Sequence, residues 1–290
     1  VTGENTLGVA PDQVLALLER DGVVKLDGFL SPDTLAGVRK ELDAASSAKP
    51  AVSGPPSQRG PSIYPTSLLV RGRLGEIKEI SRVLSSPVLQ AIRQRVIGRS
   101  GYVTDVVGID SLPIHKAVTQ WHVDGTLSCI NKPGDARIKL FFYLNDVTSR
   151  NGAFSYIAGS HKILDSLHRG MHDGVIPPLA IRDLSTLREY CAINAPPLSA
   201  DEQSLIEQIF ASLDSDTAPC GPYSLEGPAG TLIIFDERGM HRGGDISEGQ
   251  RSILRISLKQ ETFRSPSEFL RTVVRKLARI VLPRHYASLM

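Results

Sequence analysis

The sequence is short of the features that mark several protein classes. It holds only three cysteines, Cys129, Cys191 and Cys220, far apart in the chain. An odd number at such spacing makes neither a disulfide framework nor a zinc knuckle, and reads as reduced thiols of a cytoplasmic protein. An excess of one charge is missing too: 33 Lys and Arg against 31 Asp and Glu leave a formal net charge of +2. That balance sets up no field for nucleic acid, and no acidic run reads as a solvated tail. The longest apolar run is far too short to span a bilayer, so no membrane partner is expected. No basic, apolar, small-residue order opens the chain, so no signal peptide is expected. There is no phosphate loop and no βαβ alternation, which disfavours a doubly wound nucleotide-binding fold. Apolar residues are not scarce. At 41% of 290 residues they can bury a sizeable core, in one large domain or two small ones. Nothing in the sequence points to an oligomeric state.

The chain opens on helix, strand, helix. Pro11 and Asp12 start a helix over 11–20, Asp21-Gly22 turns, and Val23 to Leu26 is extended. Ser31 is placed to cap a second helix whose first residue is Pro32, with Leu35, Val38 and Leu42 at helical spacing. Residues 45–66 are rich in Ser, Pro and Gly and read as a loop, long enough to serve as a lid. From Gly101 the pattern changes to strands: 102–107, 138–147, 154–157, 231–235 and 252–258. Many short strands with Gly-bearing turns predict a mainly β sandwich or barrel with flanking helices. An insertion over 161–225 interrupts the series, with a helix over 201–213 and Pro-Pro pairs breaking the rest. A final amphipathic helix is expected over 266–281, its basic stripe facing solvent. The organisation expected is one domain: support 1–98, core 99–262 carrying the insertion as a lid, and a closing helical segment 263–290.

Candidate chemistry begins at Trp121-His122-Val123-Asp124-Gly125. Residues two apart on an extended strand point to one side, so His122 and Asp124 can meet one ion. A lone His-x-Asp arises often by chance; two further pieces make it a joint pattern. A buried strand ending at Phe235 runs through a Gly-bearing turn to His241. Two imidazoles and one carboxylate on one face suit iron(II) in oxygenases and leave three positions open, two for a chelating 2-oxo acid and one for dioxygen. Ten residues after His241, Arg251 opens the next strand, and its guanidinium can pair two-pronged with the far carboxylate of 2-oxoglutarate. Arg255 points the same way at period two and is the rival anchor. Gln120 shares a strand face with His122 and is a candidate contact to the oxo acid or substrate.

Several other residues take bland readings. His161 and Lys162 sit in a Gly-Ser-His-Lys turn read as structural. His168 and His172 have helical metal spacing, but Gly170 between them argues against a stable helix; they are left as residues of the pocket mouth. His115 and Lys116 precede the metal segment with no assigned role. The residues alone also leave open a non-oxidative metal-dependent β-barrel enzyme and a binding barrel without activity.

Four stretches resemble the phytanoyl-CoA dioxygenase family: DGVVKLDGFLSPDTLAGVRKEL, QWHVDG, KLFFYLNDVTSRNGAFSYIAGSHK, and GTLIIFDERGMHRGG followed by QRSILRISL. The resemblance is weakest over 45–100 and 165–225. It implies a double-stranded β-helix, a jelly-roll or cupin-like core with helices outside. It implies His122, Asp124 and His241 as the iron(II) ligands, Arg251 as the 2-oxoglutarate anchor, and dioxygen as cosubstrate. Its default outcome is hydroxylation of a small-molecule substrate with release of succinate and carbon dioxide. Desaturation, epoxidation, cyclisation and epimerisation are the alternatives. Many members carry Ser two residues after the distal histidine; here it is Gly243, which puts a secondary oxo-acid contact in doubt. Halogenases of the class replace the metal carboxylate with Ala or Gly, so Asp124 disfavours halogenation.

Overall fold

The computed structural model of the chain describes residues 10–47, 62–65, 78–98, 102–113, 121–123, 136–175, 184–194, 196, 198–214 and 223–259. Helix α1 (Pro11–Asp21) starts on proline with Asp12 in its first turn, where a missing N–H and a negative charge both suit the helix end. Gly22 stops it at φ 75° and gives its N–H to the Leu18 carbonyl. Strand β1 (Val23–Leu26) and helix α2 (Pro32–Ser47) follow. Ser31 Oγ accepts the Thr34 N–H at 3.3 Å, so the expected cap is in place. Strand β2 (Ser62–Pro65) and helices α3 (Lys78–Leu84) and α4 (Pro87–Ile92) come next, the last running into a π-helical turn, Arg93–Ile97.

Two antiparallel sheets form the core. The larger uses β3 (Tyr102–Ser111), β4 (Arg137–Tyr143), β7 (Leu232–Asp236) and β9 (Arg251–Lys259), in the order β1-β7-β4-β9-β3-β2. The smaller contains β5 (Phe154–Tyr156), β6 (Tyr223–Leu225) and β8 (His241–Gly243), in the order β6-β5-β8. Strand alternation sorts the larger sheet's two faces. Leu140, Phe142, Leu232, Ile234, Leu254 and Ile256 pack against α1 to α4 in one cluster. Tyr143, Ile233, Phe235 and Ile253 turn the other way and meet Phe154 and Tyr156 of the smaller sheet. The result is the jelly-roll architecture with helices outside.

Between β5 and β6 lie three helices: α5 (Ser160–His172), α6 (Leu184–Asn194) and α7 (Ala200–Asp214). The sequence reading foresaw only the last. Their buried residues, among them Leu164, Leu167, Leu187, Tyr190, Ile206 and Ile209, form a second cluster that also takes in Val123, Ile157 and Met240 beside the smaller sheet. Helix α5 runs straight through Gly170, against expectation. An amphipathic face with Ile163, Leu164 and Leu167 at 1% exposure or less outweighs the roughly 1 kcal/mol that a mid-helix glycine costs. The expected 45–66 loop is also shorter than read, since α2 reaches Ser47 and β2 starts at Ser62. The 266–281 helix lies outside the described residues. Among those described, no helix is long and apolar enough to cross a membrane.

Candidate metal centre

His241 opens β8, the first residue after the turn that leaves β7. Four contacts fix this turn. Tyr156 Oη donates to the Asp236 carbonyl at 3.0 Å, the Met240 N–H donates to Ser160 Oγ at 2.8 Å, and Ser160 Oγ donates to the Ile157 carbonyl at 2.6 Å. The fourth holds the imidazole itself: His241 Nδ1 lies 2.8 Å from the Gly239 carbonyl. A carbonyl only accepts, so Nδ1 carries the proton and the lone pair of the neutral ring sits on Nε2, the arrangement of a metal-ligating histidine. The ring is 3% exposed. It stacks parallel to Tyr156 within 10° and stands 5.2 Å from Phe235 and 5.6 Å from Phe154. The Gly-Ser-His-Lys segment, read as a structural turn, supplies Ser160 to this scaffold.

His122 is brought directly opposite His241. Their backbones exchange both hydrogen bonds, His122 N–H to His241 O at 3.0 Å and His241 N–H to His122 O at 2.9 Å. The ring centroids are 4.5 Å apart. Two imidazoles from remote parts of the sequence therefore share one small region between the sheets. Asp124 and Gln120, like His115 and Lys116, lie outside the described residues. His168 is buried on α5, in the insertion.

Strand β9 aims Arg251, Ile253 and Arg255 at the inter-sheet space, since Leu254 and Ile256 between them face the helices. Arg251 is 9% exposed. One Nη donates to the Gly152 carbonyl, and Nε is buried with no hydrogen-bond partner among the described residues. Burial pulls its pKa below the usual guanidinium value, only partly opposed by nearby Tyr143. Its register partner on β3 is Ser111, 1% exposed, whose hydroxyl also has no partner among the described residues. Two facing buried polar atoms without partners are costly unless a ligand satisfies them. The sequence reading missed Ser111, because a single serine ending a strand carries no signal until strand pairing is known. Arg255 sits two repeats of the pleat further along, level with Phe141 and Val107.

The sequence matches the model of the phytanoyl-CoA dioxygenase (PhyH) family over residues 18–253. The chain belongs to the phytanoyl-CoA dioxygenase family. As a member it is an iron(II)- and 2-oxoglutarate-dependent oxygenase, an oxidoreductase that uses dioxygen. No curated protein matches the sequence. Solved structures share the fold at low identity. The non-heme alpha-ketoglutarate-dependent carbocyclase SnoK from nogalamycin biosynthesis is 15% identical with a TM-score of 0.58, covering 89% of this chain and 87% of its own. The epimerase SnoN from the same biosynthesis is 14% identical with a TM-score of 0.52, covering 86% and 82%. HygX from Streptomyces hygroscopicus, solved with nickel and 2-oxoglutarate, is 17% identical with a TM-score of 0.51, covering 88% and 89%.

Proposed function

We propose that this family member binds iron(II) through His122, Asp124 and His241, anchors 2-oxoglutarate on Arg251, and hydroxylates an unactivated C–H bond of a small metabolite. The observation that carries the reading is the paired placement of His122 and His241 together with the tautomer that Gly239 imposes on His241. A donor set of two imidazoles and one carboxylate suits iron(II). Iron bound there would couple oxidative decarboxylation of 2-oxoglutarate, giving succinate and carbon dioxide, to oxidation of the substrate.

The chain's own residues supply position and environment. The Gly239 carbonyl keeps His241 in one tautomer and one orientation. Phe154, Phe235 and Tyr156 pack round the ring and exclude water from that side. Arg251 Nε and Ser111 Oγ offer two donors to the far carboxylate of 2-oxoglutarate, and Ser111 takes the part that Gly243 cannot. Gln120 is assigned to the same oxo acid or to substrate by its place two residues before His122. SnoK and SnoN carry out cyclisation and epimerisation, and one HygX structure holds hygromycin B. A specialised metabolite is accordingly the substrate class we assign. Burial pushes the pKa of the free Cys191 thiol up to about 11, which keeps it protonated and unreactive; we assign the enzyme to the cytoplasm on the scarcity of cysteine.

The test is anaerobic addition of iron(II) and then 2-oxoglutarate, read by visible absorption. A weak charge-transfer band that Asp124→Ala abolishes, together with succinate release in air, is the expected result. Full turnover in Asp124→Ala without added chloride would overturn the ligand assignment.

A further inference from the structure

In the antiparallel pairing His122↔His241, the residue before one histidine stands across from the residue after the other. Those residues are Trp121 and Arg242. The two histidines point between the sheets, so Trp121 and Arg242 project from the opposite face. There the Arg242 guanidinium carbon lies 4.7 Å from the Trp121 ring centroid. Arg242 Nε is buried and makes no hydrogen bond among the described residues, so the ring face is the contact that settles this part of the guanidinium. Trp121 in turn packs against the cluster formed by α5 to α7.

We propose that Trp121 and Arg242 form a cross-strand clamp that sets the spacing of the two histidine ligands, with Arg242 as a positioning residue for the metal. The inference rests on the ligand assignment proposed above. Among the described residues the pairing beneath it is one bridge with its two backbone hydrogen bonds, and the side-chain contact adds to them. A partly desolvated cation–π contact is comparable in strength to such a bond. It sits one residue from each ligand, on the face where the insertion helices press. The clamp therefore also links the insertion to the metal's own strands.

Cobalt(II) is the probe, titrated into the whole metal-free protein and followed by its visible d–d bands. Wild type and Arg242→Lys, which keeps the cation, are expected to bind alike, and Arg242→Gln about tenfold more weakly. Trp121→Phe should hold cobalt better than Trp121→Leu, because the ring face is the contact. The chain has a single tryptophan, so its emission reads the environment of Trp121 directly, and it should shift in Arg242→Gln but not in Arg242→Lys. Equal cobalt affinity in wild type and Arg242→Gln would overturn the clamp. So would equal losses in Arg242→Lys and Arg242→Gln, which would mark general packing instead. Failure of wild type to bind cobalt at all would refute the ligand assignment instead, so the two failures are distinct.

Discussion

At Arg251 burial and charge oppose each other. A guanidinium that is 9% exposed and lacks a carboxylate among its described contacts is held in a destabilised state that an incoming anion relieves. Arg238 shows the contrast. Although burial works against its charge, it is bound by Asp236 at 2.6 Å and by Asp165 at 2.6 Å and its pKa is raised, so it is already satisfied. Arg251→Ala should therefore strand the far carboxylate of 2-oxoglutarate, a loss on the order of 3–5 kcal/mol, or at least about a hundredfold in 2-oxoglutarate affinity. Ser111→Ala removes one neutral donor and should cost roughly 0.5–1.5 kcal/mol. A 2-oxoglutarate titration of both variants checks the ranking; an unchanged Arg251→Ala with a loss in Arg255→Ala would move the anchor to Arg255. Gly239 is constrained in another way. A β-carbon built there would lie 1.8 Å from Tyr156 Oη, in the residue whose carbonyl orients His241. Gly239→Ala should lower thermal stability by about 1–3 kcal/mol and weaken metal binding together, measured by melting with and without cobalt(II). A normal melting point would show that the turn has slack that its packing does not suggest.

Among the elements, those with a strong local signal were readable. Pro11, Pro32 and the Ser31 cap mark the starts of α1 and α2, and the alternation of β9 brings Arg251 and Arg255 to one face as period two requires. The short strands β6 and β8 were not legible, since three residues carry too little pattern and their pairing is decided by partners far away in sequence. Helices α5 and α6 were hidden by Gly170 and by neighbouring prolines, yet tertiary packing overrode local propensity. That packing changes the expectation for the insertion. A lid built from Pro- and Gly-rich chain would order only around substrate, whereas α5 to α7 own a buried cluster with Leu164, Leu167, Leu187 and Ile209 at 1% exposure or below. Amides of these helices should exchange slowly in the iron- and 2-oxoglutarate-loaded protein before substrate is added. Exchange as fast as in an unfolded chain, slowed only by substrate, would restore the ligand-ordered lid.

For the whole molecule, His161 ties three parts together. It lies in the first turn of α5, its Nε2 is 3.2 Å from the Glu19 carbonyl on α1, and a β-carbon on Gly22 would come within 2.4 Å of its Nδ1. Burial lowers its pKa from the ordinary 6.5, with Asp236 opposing. The folded state thus takes up its proton later than the unfolded chain on acidification. Stability from this group is complete above the unfolded value and is lost as pH falls through 6.5 toward the folded pKa. Chemical denaturation at a series of pH values should show this slope in wild type and a shallower one in His161→Asn. Equal slopes would place the acid sensitivity elsewhere.

The insertion leaves and rejoins the smaller sheet at neighbouring points, for Tyr156 at its start and Tyr223 at its end are register partners. Chain joined at two adjacent points behaves as a closed loop, and the entropy of closing a flexible loop grows only with the logarithm of its length, about 0.6 kcal/mol per doubling. Changing the length of the insertion beyond α5 therefore carries little closure cost, while Ile157 and Ser160 at its start stay to hold the turn before His241. The insertion can thus vary in length at small entropic cost, but a graft between those two tyrosine positions keeps the metal's geometry only if it retains Ser160 and an apolar surface for Trp121.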